Sequence, residues 1–292
     1  MNVGYDHKLL SSFYLWFDDR LNYFAETYKT GQSHTFQYID THDIPSNYIA
    51  YYSPYRQFVW ASDKVTVPDY VTIDGTTVYD KNGIYIDYSN GRVLLNTATF
   101  GTSQSRVITG TFPYKTVNTY ITDETEENVI MNSDFLISPI NQTFLQQKGG
   151  FTDKIYTVPA VFLTLGGSNN KPFAFGGMDE TVSTLRGVVI AESNYTLDGI
   201  MSLFRDSTRT TFSLMDFEDF PMGEFNHIKS HPYKYKTLAD AASSYCFIED
   251  ARVAKLTDRV REKIAPSKDY KVGFIDFEIS KPRIPRQEFQ RV

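Results

Sequence analysis

The chain has 292 residues, a formal net charge of −6 and an aromatic content of 15%, with 21 Tyr and 22 Phe. This length suffices for two modest domains or one large β-rich domain, and the aromatic excess favours strands and contact surfaces. An acidic chain lacks the basic stripe of proteins that coat nucleic acid, so we expect no sequence-specific nucleic-acid binding, although DNA could pass by the protein.

The single cysteine, Cys246, excludes a disulfide framework within the chain and fits synthesis in a reducing cytosol. Its neighbours Tyr245 and Phe247 are typical of a strand, so we expect a buried, inert thiol. The N-terminal sequence shows no basic patch followed by an apolar stretch, and no window approaches 18 consecutive apolar residues. We therefore expect no contact with a membrane.

The first predicted element is an amphipathic helix from about Leu9 to Tyr28. Its apolar residues recur at spacings of three and four, which places one broad aromatic face on a neighbouring part of the chain or on another subunit. The helix face comprises Leu10, Phe13, Phe17, Leu21, Phe24 and Tyr28.

From Gln32 to Ser62 the periodicity disappears, which predicts a long ordered loop with short extended pieces.

The clearest β signal lies from Val65 to Thr122. Asp74-Gly75 and Asn90-Gly91 are dipeptides that two-residue hairpin turns require, because both central positions need a positive φ. Residues 106–111 and 116–122 are expected to form a further strand pair. The segment therefore predicts a meander of hairpins that forms a small sandwich or barrel.

An acidic segment, Asp123 to Asn128, follows this block, and we place the domain boundary between it and Gly149-Gly150. The predicted organisation is an N-terminal unit of residues 1–150, an α+β assembly domain of residues 151–280 and an extended arm of residues 281–292. The fold class is α+β: an aromatic helix and a β-rich hairpin domain, then a mostly antiparallel sheet with two helices.

The second half should alternate strands with two helices, with a Gly-rich connection between its first two strands. We expect that connection, residues 166–177, to be exposed and mobile and to contact a neighbouring chain. The helix at Leu197 to Arg205 would be capped by Thr196. The other elements are strands at Ile155 to Leu165, Leu185 to Ala191 and Tyr270 to Ser280, and a helix from about Ala251 to Ile264.

Two histidines, His227 and His231, have the spacing that would point both at one metal ion on a helix. The zinc-protease pattern needs Glu directly after the first histidine, where this chain has Ile228, and Pro232 disfavours a helix. We therefore expect no metal site here. His34 and His42 have no evident partners either.

The acidic group of Asp216, Glu218 and Asp219 is interleaved with Phe217 and Phe220, so an edge strand explains it better than a catalytic carboxylate pair. The sequence contains neither a phosphate-binding Gly-Lys-Ser/Thr motif nor the nucleophile elbow of serine hydrolases. We therefore expect no catalytic residue and no cofactor, that is, a non-enzymatic protein.

The order of predicted elements in the second half is similar to that of tail-terminator and neck proteins of tailed phages. It runs from the strand at residues 185–191 through the helix at 196–205 and further extended segments to a second helix and the closing strand at 273–279. The segment from Ile86 to Val93 also resembles virion proteins of long-tailed phages.

This resemblance implies a ring of six copies at the head–tail junction or the tail end, in contact with adjacent neck or tail proteins. The protein would be made in the bacterial cytoplasm and located in the virion, and the resemblance supplies no catalytic residues. The additional β domain of about 150 residues departs from the small terminator pattern.

Two other function classes stay open. One is a carbohydrate- or receptor-binding β module of a baseplate, which would use aromatic platforms formed by Tyr51, Tyr52, Tyr55 and Trp60. The other is a hydrolase.

The C-terminal arm is basic: Lys281, Arg283, Arg286 and Arg291 oppose only Glu288, which leaves about −9 for the remainder of the chain. Pro282 and Pro285 disfavour both a helix and a central strand, so the arm should run extended and clamp a neighbouring subunit. The candidate interface residues are Phe173, Arg283, Ile284, Arg286, Phe289 and Arg291.

Overall fold

A computed structural model describes residues 4–31, 33–40, 44–136, 155–174, 178–221, 232–264 and 270–283. The fold is α+β, as the sequence predicts. The helices within these residues are α1 (Tyr5–Asp19), α2 (Thr97–Phe100), α3 (Glu126–Asn132), α4 (Asn194–Arg205), α5 (Tyr235–Ala241) and α6 (Asp258–Ile264).

The described strands form a seven-stranded and a six-stranded sheet, with two short pairs beside them. In chain order they are β1 (Tyr28–Lys29), β2 (Ser33–Tyr38), β3 (Tyr48–Tyr52), β4 (Tyr70–Ile73), β5 (Thr76–Tyr79), β6 (Ile84–Asp87), β7 (Arg92–Asn96), β8 (Ile108–Thr111), β9 (Tyr114–Lys115), β10 (Asn118–Ile121), β11 (Asp134–Leu136), β12 (Ile155–Thr157), β13 (Ala160–Ala174), β14 (Met178–Ala191), β15 (Thr211–Leu214), β16 (Ser244–Lys255) and β17 (Lys271–Arg283).

The seven-stranded sheet has the order β5-β4-β8-β2-β3-β7-β6 and contains the hairpins expected from the sequence. Asp74 and Gly75 both have positive φ and close the β4–β5 hairpin in a two-residue turn. The two-residue turn expected at Asn90-Gly91 is wrong, because β6 and β7 are joined by the four residues 88–91. Tyr88, the first residue of this connection, is fully buried, and its hydroxyl donates to the carbonyl of Pro68. The connection is therefore two residues longer than expected, and its first side chain packs in the core.

The pairing expected between residues 106–111 and 116–122 is also wrong. β8 lies between β4 and β2 in the seven-stranded sheet, whereas β10 pairs in parallel with β13 in the six-stranded sheet. The chain crosses between the sheets through β9, which pairs with β1. Within the long segment expected to be a loop, β2 and β3 are the extended pieces. The domain boundary predicted before residue 150 falls in residues 137–154, outside the described part.

The six-stranded sheet has the order β10-β13-β14-β17-β16-β15 and is antiparallel apart from the β10–β13 pair. Helices α1 and α4 pack on one of its faces. The Phe17 and Phe204 rings stack with centroids 3.7 Å apart, and Phe13 packs edge-on against Phe277 at 4.8 Å. The aromatic face of the first helix is therefore docked on its own chain.

Helix α1 begins at Tyr5 and continues as a π-helical turn over Arg20–Phe24, so the helical segment begins and ends four residues earlier than the predicted 9–28. Glu26 has a φ of 51°, which redirects the chain into β1. Helix α4 is present as predicted, but its cap is Ser193, whose hydroxyl accepts a 3.1 Å hydrogen bond from the backbone N–H of Thr196. The residue expected to cap the helix is thus inside its first turn.

Among the described residues, the elements that cover the opposite face of the six-stranded sheet lie at one end of it. There α3 and the β11–β12 pair pack over it through a small apolar cluster, and the Tyr270 hydroxyl donates to the carbonyl of Ile130 at 2.6 Å. The buried members of the cluster are Val129, Ile130, Val158, Ala160, Phe162, Val188, Ile190, Tyr270 and Val272.

Two elements of the second half differ from expectation. The Gly-rich residues 166–174 belong to β13 and pair with β14, so the predicted mobile loop is wrong for that part, and residues 175–177 lie outside the described ranges. The helix predicted from Ala251 is wrong as well, since β16 continues to Lys255 and α6 starts only at Asp258. A bulge between Ile248 and Asp250 places Ile248 and Ala251 on the same face at a helix-like spacing of three.

Candidate assembly surface

Two of the six predicted interface residues lie within the described structure. Phe173 lies in β13, and Arg283 is the last residue of β17, where it pairs with Asp179 of β14. Because Asp179 also pairs with Pro172, the structure brings Phe173 and Arg283 to the same end of the six-stranded sheet. The other four, Ile284, Arg286, Phe289 and Arg291, lie outside the described residues.

At this end, the sheet face opposite α1 exposes two aromatic rings. Tyr245 and Phe247 of β16 are 51% and 44% exposed, whereas Cys246 and Ile248 point into the core and are fully buried. Phe247 lies opposite Thr211 and Ser280 on the neighbouring strands, and all three side chains share one face. We call this surface the open face; its side chains are those of Glu180, Val182, Thr184, Thr211, Tyr245, Phe247, Glu249, Asp250, Arg252, Asp276, Glu278 and Ser280.

The open face is acidic. It carries five carboxylates and one guanidinium, Arg252, with a second guanidinium, Arg186, at its inner border. Arg186 binds both Asp276 and Glu126, and these carboxylates raise its pKa above the ordinary value. Nε of Arg252 lies 2.6 Å from Asp250, and the Ser280 hydroxyl donates to Glu249 at 2.5 Å. The surface therefore pairs exposed rings with an excess of negative charge.

The nearby edge of β13 is protected against strand addition. Residues 166–172 are exposed, yet the edge carries Lys171 and Pro172, and a bulge between Leu165 and Gly167 interrupts its register. A charged side chain, a missing N–H and a bulge are devices by which proteins block edge-to-edge pairing. The open face, rather than this edge, is thus the stronger candidate for contact with another protein.

The most deeply buried charges elsewhere are structural. Lys115 and Asp18 form a 2.5 Å ion pair with both side chains fully buried, and Nζ of Lys115 lies 4.1 Å from the centre of the Trp60 ring. Burial lowers the pKa of Lys115, an effect that Asp18 opposes. The Asn22 amide donates to the other Asp18 oxygen at 2.9 Å. The pair fixes α1 to β9 and has no exposed atom to offer a ligand.

Asp19, next to this pair, lies beside the start of α5. Burial raises the pKa of Asp19 to about 7, with further contributions from Asp63 and Asp18. Asp63 accepts hydrogen bonds from the backbone N–H groups of Tyr235 and Lys236, at 2.6 and 3.1 Å. The space between these groups is about 10 Å³, too small for a substrate.

The predicted thiol environment is confirmed, since Cys246 is buried and its pKa is raised to about 11 by desolvation. His34 is also buried, and its Nε2 lies 2.8 Å from the carbonyl oxygen of Phe112. The acidic group around Glu218 forms a 3-10 turn, Phe217–Asp219, instead of the predicted edge strand. Its neighbour Asp216 binds Nζ of Lys8 at 2.6 Å, so the turn is tied to α1.

The aromatic platform suggested for a carbohydrate-binding module does not form. Tyr51, Tyr52 and Trp60 are 1%, 4% and 1% exposed and lie in the core. Tyr55 is half-buried, and its ring stacks on that of Tyr114 with centroids 3.6 Å apart. A shallow polar depression of about 700 Å³ lies near Tyr38 and Gln104, but its rim has only the Phe36 and Tyr38 rings. Within the described ranges, no group of three His, Cys, Asp or Glu side chains is placed to hold a metal. His42, His227 and His231 lie outside those ranges.

The sequence analysis proposed residues 281–292 as an interface and did not name the open face. The sequence does carry a signal for this surface, because residues 245–248 are all apolar. A strand with consecutive apolar residues is typical of a sheet that is packed against other elements on both faces. None of the described helices is long and apolar enough to cross a lipid bilayer. No family model matches the sequence, and no curated protein matches it either.

Proposed function

We propose that this chain is a non-enzymatic structural subunit of a tailed-phage particle. In this proposal, copies of the chain form a ring of six at the neck or the tail end, around the DNA path and in contact with adjacent neck or tail proteins. The observation that carries the proposal is the open face, where half-exposed Tyr245 and Phe247 stand among carboxylates on the sheet face opposite α1 and α4.

A half-exposed aromatic pair on a sheet face favours association. At about 25 cal/mol per Å² of apolar area, covering the exposed parts of both rings would contribute roughly 3 to 5 kcal/mol. Aromatic residues are also enriched in protein interfaces, whereas enzymes place their polar groups in concave pockets. The surface is flat, aromatic and acidic, which suits a protein partner better than a small substrate.

The phage assignment is supported by the order of elements from β14 to β17. The chain runs from β14 through α4, β15, α5, β16 and α6 to the closing strand β17. This is the order on which the resemblance to terminator and neck proteins rests, with one additional helix, α5, between β15 and β16. The long seven-stranded sheet that precedes it would then supply contacts that a small terminator protein lacks.

The mass of the purified full-length chain tests the proposal. Native mass spectrometry and sedimentation velocity should reveal an oligomer, and negative-stain micrographs of it should show six-fold rings. A chain that stays monomeric at every accessible concentration, alone and with neck or tail proteins, would contradict the proposal.

A pair of variants connects the oligomer to the open face. Phe247→Thr removes the ring but introduces a β-branched residue, which strands favour, and it should shift the chain toward monomer. Tyr195→Thr is the matched control, because Tyr195 is 90% exposed on α4, away from this surface. Equal effects of the two substitutions would remove the open face from the proposal.

A further inference from the structure

We infer that the open face binds residues 284–292 of a second copy of this chain. The inference rests on the proposed function, since it names the partner of the same surface. Three properties of the described residues point to this occupant: their charge, their exposed rings and the place where β17 ends.

The charges of the two surfaces are complementary. The open face presents Glu180, Glu249 and Glu278 in addition to the carboxylates of Asp250 and Asp276 that pair with arginine. Residues 284–292 contain Arg286 and Arg291 against a single Glu288. Arginine binds carboxylates through two parallel hydrogen bonds, which fixes orientation as well as adding attraction.

The apolar groups are complementary as well. The segment carries two large apolar residues, Ile284 and Phe289. The open face offers the half-exposed rings of Tyr245 and Phe247 beside the half-buried Val182. Aromatic pairs prefer offset or edge-on contacts, which a flat sheet surface with separated rings can provide.

The position of the β17 end favours a second copy over the same chain. Phe247 lies opposite Ser280, three residues before Arg283, where the described strand ends. Ile284 precedes Pro285, and a residue before proline is restricted to extended backbone. To cover its own open face, the chain would have to reverse direction after Arg283, because that face lies beside the preceding residues of β17, whereas a second copy requires no such reversal.

The lengths agree with this arrangement. Nine residues in extended conformation span roughly 30 Å. The open face extends along β17 from Pro282 to Asp276, which is about 20 Å at 3.3 Å per residue. A segment of this length therefore reaches across the whole surface with its first residues left as a connection.

Disulfide trapping between two full-length variants tests the inference. Phe289→Cys is placed in one copy and Thr211→Cys in a second copy with a different affinity tag, since Thr211 is exposed directly opposite Phe247. The native Cys246 is buried and should stay reduced. After mild oxidation of the mixture, a disulfide-linked heterodimer is expected.

Tyr195→Cys replaces Thr211→Cys in the control mixture and should give little heterodimer. Heterodimer yields that are equal in the two mixtures would overturn the inference. So would a double variant, Phe289→Cys with Thr211→Cys, that closes its disulfide within one chain and never between copies, because the segment would then cover its own sheet.

Charge exchange gives an independent readout. Arg286→Glu with Arg291→Glu should raise the dissociation constant of self-association about tenfold or more, and Glu249→Arg with Glu278→Arg in the other copy should restore it. Arg205→Glu, at an exposed arginine of α4, is the control and should have little effect. If none of these substitutions changes the dissociation constant of self-association, this inference alone is overturned. A wild-type chain that stays monomeric would contradict the proposed function itself.

Discussion

The two faces of the six-stranded sheet are built from the same strands, yet they differ in what covers them. On one face, Phe13 and Phe17 of α1 and Phe204 of α4 pack against Phe277 of β17 in a fully buried aromatic cluster. On the other, the half of the sheet that α3 leaves uncovered exposes Phe247 among carboxylates. Alternation along each strand decides which residues enter which environment.

This difference separates folding from association. Rings on the covered face are surrounded by their own chain, so their loss should destabilise the monomer. Rings on the open face contact solvent over about half of their surface, so their loss should affect binding to another chain far more than folding.

The largest effect is expected on the covered face, from Phe204→Ala. The Phe204 ring is fully buried and stacks on Phe17. Its removal should lower the free energy of unfolding by about 3 to 5 kcal/mol, through lost burial and the cavity left behind. Urea denaturation followed by tryptophan fluorescence measures this. A loss below about 1 kcal/mol would show that the two helices do not depend on this contact.

Nearly as large an effect is expected where α1 meets β9. Lys115→Met leaves Asp18 buried without its cation, which should cost about 3 kcal/mol. The double variant Asp18→Asn with Lys115→Met removes both charges and should recover most of the loss. If the double variant is no more stable than the single one, the unpaired Asp18 charge is not the cause of the loss.

The sequence predicted individual turns, helices and strands better than it predicted which face of the six-stranded sheet stays open. The Asp74-Gly75 turn, α4 and the closing strand follow from local patterns. The bulge at Ile248 to Asp250 was invisible to such patterns, because an extra residue gives a strand the spacing of a helix.

The loop predicted at residues 166–177 was wrong for a different reason. Glycine and asparagine normally mark loops, but here pairing with β14 overrides the weak strand propensity of residues 166–170. Which face stays open could not be predicted either. It depends on where α1, α3 and α4 pack, and those contacts join residues far apart in the chain.

A smaller, pH-dependent effect is expected from Asp19→Asn at the end of α1. The folded-state pKa of Asp19 is about 7, above the ordinary 3.8, so the folded protein binds a proton that the unfolded chain has lost. This contribution to stability is present at low pH and is lost as the pH rises toward and through about 7.

The asparagine variant has no such proton to lose, so it should be more stable than the wild type at pH 8, by about 1 kcal/mol after allowance for solvent screening. Near pH 4 the advantage should disappear. Thermal unfolding of both proteins across this range measures the difference. A gap that does not change with pH would assign the effect to packing instead of proton binding.

The smallest effect on folding is expected on the open face itself, from Phe247→Thr. The ring is 44% exposed, and threonine is a β-branched residue of the kind that strands favour, so the free energy of unfolding should change by less than about 1 kcal/mol. Measured at concentrations where the chain is monomeric, this value isolates folding from association. The Phe204→Ala variant, tested in the same way, supplies the contrast. If Phe247→Thr lost as much stability as Phe204→Ala, its ring would belong to the core of the monomer. The open face would then have no apolar surface to offer a second chain.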